Sequence, residues 1–424
     1  MHTIATTRSR IACAAFVGML VTEYPVLYCS FPQLLQPVST QFAWGRSIMP
    51  LALLIFSPVQ MLLYPFVGLA LDKWGSRRIL VIGFTLFGLS MTALSQLTGS
   101  VAQMVALYVV AAAWGTLVTG VSFGRVVART FDTNRGLMLG ICLGIGGGLG
   151  AAMLPPITQF LLEHWGWRGA YVGLGLIPMT IGASAALCLP AELSPGRVAA
   201  SAHDGAKTPV LAFFRLPTFW SLIGATLISC MVINGLGAHL AAMATDLGLS
   251  KRTAALLLSL FAVAMMAGQF GVGRLLDRYP TPKLALPVFS ALLLGVIQIQ
   301  FATTQLTLTL GVIMLGLGAG SEYGLLPYFL TRFFHLEAFG FLYATLYAAS
   351  AIGSGMGPYT MGLAFDIAGS YKNALIAFEI ASLGTLALIA WLPPYAYAVD
   401  GSRRSDRTPS NTNPQTSRIV QRLK

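Results

Sequence analysis

Glu23, in VTEYPVLYCS, and Glu322, in GAGSEYGLLPYF, each interrupt a long run of apolar and small residues. A carboxylate in such a run is tolerated only with a partner or a proton, so both are candidates to carry a proton or to hold a charged ligand; a structural hydrogen bond to a neighbouring helix is the bland alternative. Asn234, Gln269 and Tyr323 are polar groups in comparable runs. His239, in HLAAMATDLGLS, fits a substrate or proton contact, or an outer-gate or packing position near a helix end. Arg125, one turn deeper than Arg129, can offer a guanidinium to an anion or snorkel to an interface. Charged knots form a second constellation. GLALDKWGSRR places Asp72, Lys73, Arg77 and Arg78 at the end of an apolar run, and GRLLDRYPTPK repeats the skeleton with Asp277 and Arg278, Pro280 and Pro282 replacing the Gly-Ser pattern. Such carboxylates suit salt bridges, or contacts with helix ends, that are made in one arrangement and broken in another. Enzyme chemistry finds no support: there is no phosphate loop, HExxH or GxSxG elbow, and the five histidines are scattered. Cys13, Cys29, Cys142, Cys188 and Cys230 show no CxxC or metal spacing, so no metal, cofactor or disulfide is expected.

Helices in lipid have to position these groups. The 424 residues are 56% hydrophobic and 9% charged, with a mean hydropathy of +0.74, whereas soluble domains carry about 25% charged residues. Twelve runs reach the length that crosses a bilayer, at 11–32, 48–71, 79–97, 101–124, 137–162, 168–190, 218–244, 253–276, 284–303, 306–331, 340–365 and 372–393. They are called spans 1 to 12 below. The alternation of a β-barrel is missing. The first run reads as a span and not as a cleaved leader, because it is long and no small-residue cleavage site follows it. With the N-terminus inside, 21 of the 26 Lys and Arg fall at cytoplasmic ends and 5 outside. The net charge of +12 therefore records orientation in a membrane and not a nucleic-acid partner. Residues 191–217, with several Pro, Gly and Ser, read as a cytoplasmic linker, and 394–424 as a basic disordered tail.

The chain repeats itself. Gly68-Asp72-Lys73 matches Gly273-Asp277-Arg278, and Arg129 before Gly136 matches Arg332 before Gly340. GIGGGLGAAMLPP in span 5 has its partner AIGSGMGP in span 11, and GWRGA at 166–170 is echoed by GSYKNA at 369–374. The expected fold class is thus all-α, with residues 1–190 and 218–393 forming two pseudo-symmetric six-helix bundles, an arrangement suited to rocking about a central site. The glycine run at 144–150 sits mid-span with no strand before it and reads as close helix packing.

GLALDKWGSRR resembles the loop signature between helices 2 and 3 of the major facilitator superfamily. QFAWGRS, TFDTNRGLMLGICLGIGGGLG, HLAAMATDLGLS and FGFLYATLYAASAIGSGMGP resemble its monocarboxylate-porter and oxalate/formate-antiporter branch. The resemblance covers nearly all of 14–393. It implies a multi-pass protein of a bacterial inner membrane, monomeric, with both termini cytoplasmic. It implies a secondary transporter of a small organic anion, a carboxylate with aromatic acids among the candidates, coupled to protons. In that family helices 1, 4, 7 and 10 line the central cavity, which puts Glu23 and Glu322 on cavity helices, Glu322 first as proton carrier. The resemblance also makes Asp72, Lys73, Arg77, Arg129, Asp277 and Arg332 gating candidates, with Asp72 pairing to Arg129 when the inner side closes. The branch usually places an arginine midway along helix 8, where this chain has Gln269, so either another cation such as Arg125 takes the carboxylate or the substrate is less simply anionic. An exporter or antiporter of amphipathic compounds, and a non-transporting sensor on the same fold, remain as alternatives.

Overall fold

The computed structural model describes residues 2–131, 138–190, 215–279, 281–334 and 339–393, and at some helical positions the backbone alone. Residues 191–214 of the expected linker and the expected tail lie outside the described residues. So do the side chains of Asp72, Arg129, Asp277 and Tyr323.

Helices make up the described chain, and residue chemistry sets their ends. Ser100 and Ser250 accept from the backbone N–H three residues on, and Thr304 and Thr307 form a capping box, so spans 4, 8 and 10 start where a side chain satisfies an orphan donor. Gly75 ends span 2 with φ 79°, and Gly166 with φ 65° breaks the long helical stretch between spans 5 and 6; both conformations favour glycine. Eight described helices are long and apolar enough to cross a bilayer, with 140–187 counted once. Ile48–Trp74, Gln305–Phe333 and Phe339–Ala368 are as long, and the break at Gly166 divides 140–187, so the arrangement agrees with twelve spans. Large apolar side chains such as Leu62, Phe66, Phe301 and Ile380 stay exposed, the pattern of a protein whose solvent is lipid.

Two spans are interrupted where the polar groups sit. Span 1 runs as His2–Leu20, a π turn Tyr24–Tyr28 and Phe31–Gln41, and Pro25 lacks the N–H an unbroken ladder needs. Glu23 immediately precedes that π turn, and its side chain makes no capping bond to it. Span 4 runs as Val101–Gly115, a tight turn Thr116–Val118 and Gly120–Thr130. Glycine brings the broken segments together, since a Cβ on Gly115 would stand 2.8 Å from Cγ of Glu23. The run at 144–150 does pack closely, Gly150 lying on the Leu20 carbonyl. One apolar core cluster joins residues 11–189 with Ala238, and two others hold residues 219–392. The halves meet where span 2 packs on span 11 and span 5 on span 8.

Candidate functional site

Between the halves lies a cavity of about 410 Å³. Span 1 contributes Glu23, Tyr24 and Tyr28, span 2 Ser57, Gln60 and Tyr64, and span 4 Thr119 and Gly120. From the second half come Asn234, Met265, Met266, Gln269, Tyr347, Ser350 and Ser354. Glu23 is 3% exposed, and Nε2 of Gln60 donates to both of its carboxyl oxygens, at 2.6 and 2.7 Å. That amide is its hydrogen-bond partner in place of a cation. Among the described lining residues no Lys, Arg, His or Asp appears, so Glu23 is the only formally charged type in the wall. Hydroxyls, amides and aromatic faces supply the rest.

The structure therefore brings Glu23, Asn234 and Gln269 to one space; of the other cavity candidates, those with described side chains, Glu322, Arg125 and His239, are absent from its described wall. Glu322 is 1% exposed and lies behind span 7, where Sγ of Cys230 donates to Oε1 at 3.8 Å and Oε2 has no hydrogen-bond partner among the described residues. Asn234 stands between: its amide donates to the Cys230 carbonyl at 2.9 Å and to Oγ of Ser354 at 3.0 Å. Arg125 directs Nη1 toward the Gly68 carbonyl, 3.5 Å away, in the first charged knot and not in the cavity wall. Lys73 is exposed, 5.4 Å from the Trp74 ring; Arg77 is half-buried; Arg332 stacks 4.9 Å from the Tyr328 ring.

His239 belongs to a different structure, at the face opposite the chain's start. It is fully buried between Oη of Tyr371 at 3.0 Å from Nδ1 and the Pro358 carbonyl at 2.9 Å from Nε2. A carbonyl only accepts, so Nε2 carries the proton and Nδ1 of the neutral ring accepts from Tyr371. Tyr371 in turn accepts from Nη1 of Arg46 at 2.8 Å. Arg46 also grips both oxygens of Asp246, at 2.6 and 2.9 Å, and its guanidinium lies 3.7 Å from the Phe365 ring centre. Asp366 accepts from the backbone N–H groups of Arg46 and Ser47 at 2.6 and 2.9 Å. Glu163 pairs with Arg252 at 2.8 Å. The bonds of Arg46, Ser47 and Glu163 join the first half to the second, while those of His239 brace the second half behind them, and together they close that face above the cavity. Between latch and cavity the space narrows to about 50 Å³, walled by Phe31, Leu53, Pro155 and Phe261 among others.

A family profile described as Major Facilitator Superfamily matches residues 12–358, and again 223–417. The chain belongs to the major facilitator superfamily. Monocarboxylate transporter 13 of Bos taurus is 26% identical over 385 residues, which cover 88% of this chain and 86% of the relative. Monocarboxylate transporter 11 of Mus musculus is 31% identical over 249 residues, 56% of this chain and 53% of the relative. Among solved structures, a bacterial homologue of the human lysosomal transporter Spinster, in an inward-facing and occupied conformation, superposes with a TM-score of 0.68 at 15% identity, covering 91% of this chain and 96% of the other. The fold is thus that of a major facilitator transporter, and the resemblance read from the motifs to the monocarboxylate-porter branch holds in these relatives.

Sequence reasoning missed Gln60 and the far-face latch. Gln60 lies in an apolar helix 37 residues from Glu23, and no local motif ties the two together. Arg46 and Asp246 lie inside QFAWGRS and HLAAMATDLGLS, motifs recognised one at a time and not as partners.

Proposed function

We propose that this protein carries a small organic anion, a carboxylate of the monocarboxylate class, across a bacterial inner membrane together with protons, by alternating access of two six-helix halves. The observation that carries this reading is the cavity at their interface, closed on one side by a cross-half latch and holding the buried carboxyl of Glu23 in a wall without a cation among the described residues. The names of the relatives favour the substrate class. On the orientation proposed from the cation bias, both termini and residues 191–217 are cytoplasmic, the latched face is periplasmic, and the structure is an inward-open state.

Reconstitution tests this directly. In liposomes holding the full-length protein, an acidic exterior should drive uptake of labelled monocarboxylates above the level of empty liposomes, and a protonophore should collapse it. Uptake indifferent to the protonophore would end the claim of proton coupling, and a panel of carboxylates without any uptake would end the claim about substrate. The exporter reading draws on the aromatic and methionine side chains of the same cavity; resistance to amphipathic compounds on overexpression would favour it.

A further inference from the structure

The wall around Glu23 limits the charge of what the cavity can hold. A carboxylate entering this space meets hydroxyl and amide donors, but among the described lining residues it meets no fixed cation on any span. Among the described residues, the titratable groups that line the cavity with Glu23 are phenols: Tyr24 and Tyr28 from its own span, Tyr64 from span 2 and Tyr347 from span 11. Spans 4, 5, 7 and 8 present none to the cavity among their described residues. With Glu23 ionised, a bound anion would put two like charges into a space where charge is poorly solvated. A proton removes that repulsion, and Glu23 is the acceptor in reach.

We infer that the cargo carboxylate is held by the proton on Glu23, as an acid–carboxylate pair, and that the site accepts organic acids with one carboxylate and rejects those with two. This rests on reading the cavity as the substrate site. The charge balance is simple: ionised Glu23 alone carries one negative charge, and Glu23 with one proton and one monoanion carries the same. Loading therefore leaves the net charge of the cavity unchanged. In the pair, the carboxyl O–H of Glu23 donates to the cargo oxygen while Gln60, already 2.6 and 2.7 Å from the two oxygens of Glu23, donates to the pair from behind. A second carboxylate would add a charge that no proton or cation in the described wall offsets. Tyrosine and methionine side chains leave room for an apolar or aromatic body on the single carboxylate.

Benzoate and terephthalate make a matched pair of probes, one ring with one or two carboxylates. Titration calorimetry on the detergent-purified full-length protein, in buffers of different ionisation heat at about pH 7.5 and about pH 9.5, counts protons taken up per benzoate bound. Wild type should take up about one proton at the higher pH, where Glu23 of the free protein is ionised, and bind terephthalate at least about ten-fold more weakly. Glu23→Gln supplies a neutral side chain in advance, so benzoate should bind with no proton uptake and with a flat pH profile. Gln269→Lys places a cation on the open wall and should raise terephthalate affinity toward that of benzoate. Benzoate binding without proton uptake in wild type at the higher pH, or equal affinity for the two acids, would overturn the inference and leave carboxylate transport standing. If benzoate, phenylacetate and lactate all fail both to bind and to be transported, the substrate reading falls, and this inference with it. The wild-type proton count is decisive even if a variant fails to fold.

Discussion

Glu23 and Glu322 look alike in the sequence and differ in what surrounds them. Both are buried carboxyls at membrane depth, but Glu23 opens onto the cavity with Gln60 bridging its oxygens, while Glu322 faces Cys230 one layer behind Asn234. A proton carrier must be reached from the cargo space, and the described contacts give only Glu23 that access. Glu322→Gln should therefore keep proton-driven accumulation within about two-fold of wild type, whereas Glu23→Gln should abolish accumulation and retain exchange between equal pools. Uptake against a proton gradient and counterflow, measured side by side in liposomes, decide between them. Loss of accumulation with intact counterflow in Glu322→Gln would return that residue to the first place the sequence gives it. The polar identity of these residues was legible in the chain because an acid in a greasy run stands out. Their ranking was not, because it depends on which helix face meets the other half, and spans that are apolar on every side carry no stripe to mark that face.

At the scale of elements, the latch on the far face is built from loop ends and helix ends, and its members differ in weight. Arg46 is only 20% exposed and makes two bonds to Asp246 and one to Tyr371 while lying on Phe365. Arg252 is 78% exposed opposite Glu163, and water and salt screen so exposed a pair to a small contribution. Arg46→Ala should therefore shift the balance of closed and open far faces by about 2 kcal/mol, about thirty-fold, and Arg252→Ala by less than about five-fold. Spin labels at Ala43 and Leu247, with their distance distribution read in detergent, measure the two populations; equal effects of the two variants would refute the ranking. Tyr371→Phe should fall between them, since it removes one Arg46 bond and leaves Nδ1 of buried His239 without its donor. Element positions were readable from hydropathy, which is local. The latch was not, because Arg46 finds Asp246 across 200 residues and Asp366 across 320, and charge at a loop end looks the same in a sequence whether or not it is paired.

For the whole molecule, alternating access needs two latches that oppose one another, since a carrier locked on one side only would rest in a single state. The far-face latch is engaged here. On the other face the halves touch across the cavity mouth through Oη of Tyr64 and Tyr347, 3.1 Å apart with edge-to-face rings. Among the described contacts, this phenol pair is weaker than the set of bonds around Arg46. The charged knot at 68–78, with Asp72 pairing to Arg129 when that face closes, is the proposed counterweight. Two opposed latches make a prediction that neither makes alone. Arg46→Ala should populate the state closed at the knot, Asp72→Asn should deplete it, and each should slow transport by holding the carrier to one side. Because each latch acts on a different state, their free energies should add with opposite sign, so the double variant should recover part of the turnover that each single variant loses. Counterflow rates in liposomes, with the label pair at Ala43 and Leu247 reporting the populations, test the cycle. A double variant slower than both singles would show that Asp72 and Arg46 do not act on one two-state equilibrium, and the knot would then revert to an anchor for its cations.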